Sequence, residues 1–476
     1  MLPKPNPKEI DRKGRMALPT EDVPKQDPQL RRSNFDEVYL PLGEEAARAA
    51  ARRCLQCPAA KCVKACPLQN DIPYALWHIE CGEFEKAAFV FRKTSTLSDV
   101  CGRVCPQSRL CEGACIYTKK KRPPVPIGRL EAFACDYLKS HSGIPTDTAP
   151  PSGHKAAVVG AGPAGLTVAE LLARQGHAVT VFDANPAAGG VMRYGIPTFK
   201  LNHIVCDQKA ELLETLGVEF VFETRVGEDP SISDLLSQGY ETVFLGVGAG
   251  VSAELKIPGV ELQGVYHATP FLIRANVKES VRPASLGELP DIGDRVAVIG
   301  GGNTAIDCLR TAVRLGAKEA TCIYRRTEAE MPGDQKNLTL ATEEGVEFRW
   351  LTQPIEILGN DERHVVGLKC IQMELGEPDE SGRRRPVPVE GSEFLLYVDS
   401  VVLALGYWPD PLIGDSTPEL DTHDWGLIAI DETTGVTSLE NVFAGGDDVV
   451  GPDLVVTAVK QGRAAAEGMH AYMMGQ

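Results

Sequence analysis

The chain lacks any long hydrophobic run. Across 476 residues no stretch approaches the ~18 consecutive apolar residues of a membrane helix. The opening Met1-Leu2-Pro3-Lys4-Pro5 does not begin a signal peptide. A cytoplasmic protein with no membrane partner is expected. A basic surplus is missing too: the formal net charge is −16, which argues against nucleic acid as a partner. The deficit is uneven. Residues 1–150 carry 24 Lys/Arg against 18 Asp/Glu, an excess of +6, leaving −22 for the rest. A mildly basic amino-terminal third suits an acidic partner, although such asymmetry is commonly solvated surface.

What the chain does have is cysteine. It holds 14, and eight of them form two tight groups between Cys54 and Cys115. Clustered cysteines in a reducing compartment read as metal ligands rather than disulfides. The scattered Cys81, Cys135, Cys206, Cys308, Cys322 and Cys370 read as small buried apolar residues. The first group is Cys54-x2-Cys57-x4-Cys62-x3-Cys66-Pro67, the second Cys101-x3-Cys105-x5-Cys111-x3-Cys115. Such spacing suits iron–sulfur clusters, and in two-cluster ferredoxins the cysteine before proline serves the other cluster. That logic places Cys54, Cys57 and Cys62 on one cluster and sends Cys66 to a second. The competing reading is a structural zinc site.

Residues 1–42 are polar and Pro-rich without sustained periodicity, an extended or partner-wrapping arm. The run EEAARAAARR from Glu44 is strongly helix-forming. The stretch 141–153, HSGIPTDTAPPSG, reads as a linker. Beyond it the pattern changes to strand, glycines, helix, strand. Ala156–Val159 leads into Gly160-Ala161-Gly162-Pro163-Ala164-Gly165, then AGLTVAELLARQG, then Ala178–Phe182 ending at Asp183. The same events recur at Val296–Ile299, Gly300-Gly301-Gly302-Asn303-Thr304-Ala305, TAIDCLRTAVRLG and Ala320–Tyr324. Two βαβ starts predict two doubly wound nucleotide-binding units. Glycines let the backbone approach a pyrophosphate at a helix amino terminus, where free N–H groups and the helix dipole favour anions.

The two second strands end differently. Asp183 stands where a carboxylate meets a ribose 2′-hydroxyl. Arg325-Arg326 stands at the other, where paired guanidinium groups suit a 2′-phosphate. The first loop therefore predicts the ADP half of FAD, the second NADPH.

Val401–Leu405 is a further apolar strand running into Gly406, and Asn441–Ala444 another, followed by Gly445-Gly446-Asp447. Here the chain resembles the two-dinucleotide-binding flavoproteins. That resemblance implies that Asp447 after Gly446 meets the flavin ribityl chain and that the Thr457–Ala458 helix start faces the ring; Gly190 joins the same cofactor-binding set. A disulfide reductase of that superfamily is excluded, because no cysteine closely follows Gly189-Gly190 and Cys308 and Cys322 lack C-x-x-C spacing.

From about Asn34 to Met469 the chain resembles the small (beta) subunit of NADPH-dependent glutamate synthase. It is also similar to the large subunit of NADH-dependent reduced-ferredoxin:NADP oxidoreductase and the amino-terminal half of dihydropyrimidine dehydrogenase. The segments that carry the likeness are ARRCLQCPAAKCVKACP, CGRVCPQSRLCEGAC, PIGRLEAFACDY, YGIPTFKL, VIGGGNTAIDCLRTAVRLGA, YRRTEAEMP and VFAGGDDVVGPDLVVTAVKQGRAAA. The resemblance implies two [4Fe–4S] clusters. Cys54, Cys57, Cys62 and Cys115 would hold one; Cys66, Cys105, Cys111 and Glu131 would hold the other, with Cys101 a non-ligand.

The expected fold is α/β: an arm over 1–42, a helical cluster domain over 43–150, an FAD domain over 151–270 and 399–476, and an NADPH domain inserted over 271–398. The expected activity is NADPH oxidation, with FAD and clusters passing electrons singly to a partner subunit and no side chain acting as acid, base or nucleophile. By resemblance the partner is the large glutamate synthase subunit, which makes glutamate from glutamine and 2-oxoglutarate. Leu2 follows Met1, so an amino-terminal cysteine for that work is expected on the partner rather than on this chain. The alternatives are a small flavin and iron–sulfur partner exchanging electrons among NADPH, NADH and ferredoxin, or an electron-inert assembly subunit.

Overall fold

The computed structural model describes residues 3–475 apart from Pro7, Glu21, Glu380, Ser381 and Asp424. Among the described residues no helix is long and apolar enough to cross a membrane.

The cysteine-rich segment is helical. Glu44–Arg52 begins with Glu44 and Glu45 and ends on Arg52, matching charge to the helix dipole, and buries Ala47, Ala50 and Ala51 along one stripe. Ile72–Glu80, Phe84–Arg92, Ser98–Val104 and Ile127–His141 complete the bundle. Its core joins Leu76, Phe91, Tyr117, Leu130 and Leu138.

Two five-stranded parallel sheets follow. The first runs, in spatial order, Val442–Ala444, Thr242–Leu245, Lys155–Val159, Ala178–Phe182 and Glu219–Val221. The second runs Val265–His267, Ser400–Leu403, Arg295–Ile299, Glu319–Ile323 and Glu347–Arg349. Their central strands are buried on both faces, so they read as unbroken apolar runs.

That same property misled the boundaries drawn from sequence. The strand near Val401 was expected in the closing part of the first unit, which was to start at 399; it pairs instead with Arg295–Ile299 and Val265–His267 in the second sheet. The inserted unit therefore spans at least 265–403 rather than 271–398. An antiparallel ribbon of Thr352–Gly359, Val365–Pro378, Arg384–Pro388 and Phe394–Leu396 lies within it, an element with no counterpart in the sequence reading.

The arm is folded against its own chain. It contains a short helix, Arg12–Ala17, capped by Asp11, and a turn of helix, Pro28–Arg31, capped by Asp27. It packs on its own protein. Val38 clusters with Phe199 and Leu340, Glu37 pairs with Arg103 at 3.0 Å, and Arg31 is wholly buried against Glu344 at 2.8 Å.

Candidate functional site

The first cysteine group and Cys115 converge. Cys54, Cys57, Cys62 and Cys115 line one pocket walled by Leu55, Ile72, Leu76, Tyr117, Val125 and Ile127. The turn between Cys54 and Cys57 is made by Gln56, a non-glycine residue at φ 47°, anchored by its side-chain amide donating to the Pro73 carbonyl at 2.7 Å. The backbone N–H of Gln56 is directed at the Cys54 sulfur. Burial pushes the Cys54 and Cys62 thiols up to about 12, so these sulfurs become thiolates only against a strong cationic centre. Among the described residues no three Cys, His, Asp or Glu side chains are gathered closely enough to hold a single metal ion. Four sulfurs on one zinc would sit about 3.8 Å apart, given Zn–S near 2.3 Å. Thiols that share an apolar pocket without that closeness fit a multi-iron cage better than zinc.

Cys66, Cys105, Cys111 and Glu131 form the second group. Cys111 feels the charges of Glu131 and Cys66, and Cys66 that of Glu131. The backbone amides of Asn70 and Leu68 point at the Cys66 sulfur, the kind of hydrogen bond that tunes cluster sulfurs. Glu131 is buried, which pushes its carboxyl up to about 8, and accepts from Asn70 Nδ2 at 3.3 Å. Two glycines make the juxtaposition possible. A Cβ on Gly102 would stand 2.7 Å from Gly128 O and from Ala132 N, so helices Ser98–Val104 and Ile127–His141 touch backbone to backbone. The sequence carried that signal in CGRVC and PIGRLEA, where it passed unread. Cys101, set aside from the ligands by resemblance, lies in this group: its thiol meets that of Cys105 and stands 3.9 Å from Ser95 Oγ.

The second group sits at a boundary. Cys101 belongs to the core of the first sheet unit, against which Cys66 and Cys105 also pack, while Cys66 and Cys111 border the helical core. Arg92 of the helical domain pairs with Glu170 at 3.0 Å across the same seam.

In the first unit, Gly160 has φ 101° and Gly190 φ 50°. A Cβ on Gly190 would come 2.6 Å from the Gly162 Cα, so two loops cross where only glycine fits. Gly162 begins helix Pro163–Arg174 with no side-chain cap, and Gly165 lies in its first turn. Asp183 is buried, accepting from Ala161 N at 2.6 Å and Asn185 N at 2.8 Å, which holds the acid beside the glycine loop. Gly446, at φ 112°, donates its N–H to Gln461 Oε1 at 2.8 Å. Asp447 accepts from Asp453 N at 3.2 Å and burial pushes it up to about 6. Its neighbour Asp448 is deeper, accepts from Val247 N at 3.1 Å and leaves Oδ1 without a partner among the described residues. Helix Val455–Met473, with Thr457 in its first turn, also starts without a side-chain cap.

In the second unit Gly300 has φ 140°, and a Cβ on Gly302 would meet only open space. Gly302 starts the uncapped helix Asn303–Arg314. Asn303 Oδ1 accepts from Asp334 N at 2.9 Å, and beyond Thr304 the Thr269 hydroxyl donates to that of Tyr407 at 2.9 Å. The arginine pair is divided. Arg325 is exposed, whereas Arg326 is buried, with Nε donating to the Arg384 carbonyl at 2.7 Å and Nη2 pairing with Asp379 at 2.7 Å. Consecutive residues leaving a strand face opposite ways, so the expected two-arginine fork is one exposed guanidinium and one structural ion pair.

The donor sets fit what they were assigned to hold: helix starts with unused N–H groups for phosphates, and two groups of largely half-buried thiols for iron.

Comparison with known proteins agrees. Residues 31–143 match the family described as dihydropyrimidine dehydrogenase domain II, 4Fe-4S cluster. Residues 154–462 match that described as pyridine nucleotide-disulphide oxidoreductase. The glutamate synthase [NADPH] small chain of Escherichia coli is 42% identical over 94% of this chain and 96% of its own length. AegA of the same organism, an oxidoreductase by name, is 42% identical over 93% of this chain, which covers 68% of AegA. FprA from Mycobacterium tuberculosis shares the sheet architecture, with a TM-score of 0.55 at 22% identity over 69% of this chain and 85% of FprA. With a 4Fe-4S domain joined to an FAD/NAD(P) fold along its length, this chain belongs to the glutamate synthase small chain family and is a flavin and iron–sulfur NAD(P)H oxidoreductase.

Proposed function

We propose that this chain is the NADPH-oxidising subunit of a glutamate synthase, carrying FAD and two [4Fe–4S] clusters and delivering electrons to a large partner subunit that makes glutamate from glutamine and 2-oxoglutarate. One observation carries the reading: the second thiol group lies in the seam between the helical domain and the first sheet unit, and the first lies beyond it. When bound, the flavin would take a hydride from NADPH and the clusters would carry its electrons away one at a time.

This chain's own residues bind and orient. The helix starts at Gly162 and Gly302 offer N–H groups to the two pyrophosphates, Asp183 faces the ribose of one nucleotide and Arg325 the 2′-phosphate of the other. Cys54, Cys57, Cys62 and Cys115 are the ligand set of the outer cluster; Cys66, Cys105, Cys111 and Glu131 that of the inner. The glutamate synthase assignment draws on the Escherichia coli small chain, which matches along nearly all of both chains.

The test is anaerobic purification from the native host and identification of what copurifies in stoichiometric amount. A large partner with an amino-terminal cysteine is expected. A small flavin and iron–sulfur partner would overturn the reading and make the chain half of a ferredoxin:NADP oxidoreductase.

A further inference from the structure

The loop between Cys105 and Cys111 does more than carry thiols. It is folded tightly on itself. The Gln107 carbonyl accepts from Leu110 N at 3.1 Å and from Glu112 N and Gly113 N at 3.0 Å, and a Cβ on Gly113 would stand 1.9 Å from Ser108 O. The Gln107 side chain ties the loop to helix Ser98–Val104, donating to Gly102 O at 3.1 Å. Ser108 and Arg109 reach from this loop into the second sheet unit. Ser108 Oγ donates to Asp334 Oδ2 at 2.9 Å, and Arg109 Nη2 donates to the carbonyls of Pro332 and Gly333 at 2.7 and 3.0 Å. Lys336, from the same segment, pairs with Glu112 at 2.8 Å.

The other side of that segment holds the second glycine loop. Gly333 N donates to Gly301 O at 3.0 Å, and Asp334 N to Asn303 Oδ1 at 2.9 Å. A Cβ on Gly333 would lie 2.7 Å from Ile306 Cδ1 and 3.2 Å from Gly301 O, so the segment sits directly on the loop. Asn303 is the first residue of the uncapped helix Asn303–Arg314. Its Oδ1 is engaged by Asp334, while its Nδ2 donates to nothing among the described residues. An amide donor fixed at a helix start, beside free backbone N–H groups, suits a pyrophosphate oxygen.

We propose that Asp334 positions Asn303 for the pyrophosphate of NADPH, and that Ser108 and Arg109 hold Asp334 in place, so that nucleotide binding and the second cluster are coupled. This inference rests on the NADPH and cluster assignments above. Cys105 and Cys111 flank the loop, so iron held by both fixes its ends, and the bonds of Ser108 and Arg109 pass that order to the nucleotide loop. Such linkage is reciprocal: nucleotide binding orders the cluster loop by the same free energy.

The test uses the full-length holoprotein and 2′-phospho-ADP-ribose, which has the pyrophosphate and the 2′-phosphate but no nicotinamide to be reduced. Ser108→Ala combined with Arg109→Ala is expected to weaken its calorimetric binding about tenfold, with iron and flavin content as in the parent. Ser108→Thr, which keeps the hydroxyl, is expected to bind as the parent does. In the dithionite-reduced parent the ligand is expected to change the low-temperature EPR signal of one cluster, and in the double variant to leave it unchanged. Equal affinity in the parent and the double variant would overturn the proposal, as would a parent EPR signal indifferent to the ligand or a Ser108→Thr loss as large as that of the double variant. Absence of saturable binding by the parent would remove the NADPH assignment and this proposal together, which separates that failure from a failure of the coupling alone.

Discussion

Arg31 of the amino-terminal arm donates from Nε to Glu344 Oε1 at 2.8 Å, and both side chains are shut away from solvent. They lie more than 300 positions apart, and the pair is the centre of a larger network. Arg310 and Arg314 hold the same carboxylate at 2.8 and 2.7 Å, and both guanidinium groups lie over the Phe199 ring. The arm is thereby tied to the nucleotide units on which it rests.

Removing the carboxylate strips Arg310 and Arg314 of their ion pair, while Arg31 keeps Glu343 at 2.7 Å. Glu344→Ala is expected to cost about 3–5 kcal/mol of stability, the range for breaking a buried ion pair, read from urea unfolding. Burial pushes Glu344 up, but its bonds to Arg310 and Arg314 outweigh that and hold it at about 2. The folded carboxyl is thus below its ordinary ~4.3. Its contribution is complete above that value and is lost as pH falls towards 2.

His177 acts in a different window. It bonds to His470 at 2.8 Å and Ser152 at 2.7 Å, and burial with the nearby His470 holds it down to about 4. Between about 6.5 and that value the unfolded chain binds a proton that the folded one refuses, so stability falls as pH falls through the interval. His177→Asn is expected to flatten the dependence of Tm on pH between about 7 and about 4.5 relative to the parent.

Gly102→Val would force apart the helices that carry Cys105 and Glu131. Overpacking of this kind costs about 1–3 kcal/mol. The chain is expected to fold with the iron of one cluster rather than two, measured by iron analysis beside the low-temperature EPR of the reduced protein.

Glycine substitutions should separate the nucleotides. Gly190→Ala, whose Cβ would lie 2.6 Å from Gly162 Cα, is expected to lose the visible flavin absorbance. Gly300→Ala, at φ 140°, is expected to keep the flavin and lose its reduction by NADPH.

The divided arginine pair yields a split in kinetics. Arg325→Ala is expected to raise KM for NADPH about 10- to 100-fold, the equivalent of one charge-assisted hydrogen bond or two, while leaving kcat and the KM for NADH near the parent's. Arg326→Ala is expected instead to lower stability, because it removes the buried bonds of Arg326 to Asp379 and to the Arg384 carbonyl.

Glycine loops, strand runs and cysteine spacing are local patterns, and they were legible for that reason. A turn that needs positive φ, such as Gly160 or Gly190, writes itself into the residue type; a strand buried on both faces writes itself as an apolar run. Cys54, Cys57 and Cys62 fall within one turn and one short helix, so spacing alone grouped them. Cys115, by contrast, reached that group through resemblance, and its place in the same pocket depends on how the bundle closes.

Tertiary structure decided what local pattern leaves open. Ser400–Leu403 would suit either sheet, and only its hydrogen-bonded neighbours Val265–His267 and Arg295–Ile299 assign it to the second. Arg325 and Arg326 are the same residue type in sequence, and the ribbon bearing Asp379 makes one of them structural. The arm carried no periodicity to read, because it is held by single long-range contacts, Arg31 on Glu344 and Val38 on Phe199, rather than by a repeating face. Sequence determined the kinds of chemistry this protein can hold, since those depend on residue type and short spacing. The fold determined where they meet, since contacts between residues hundreds of positions apart leave no trace in either neighbourhood.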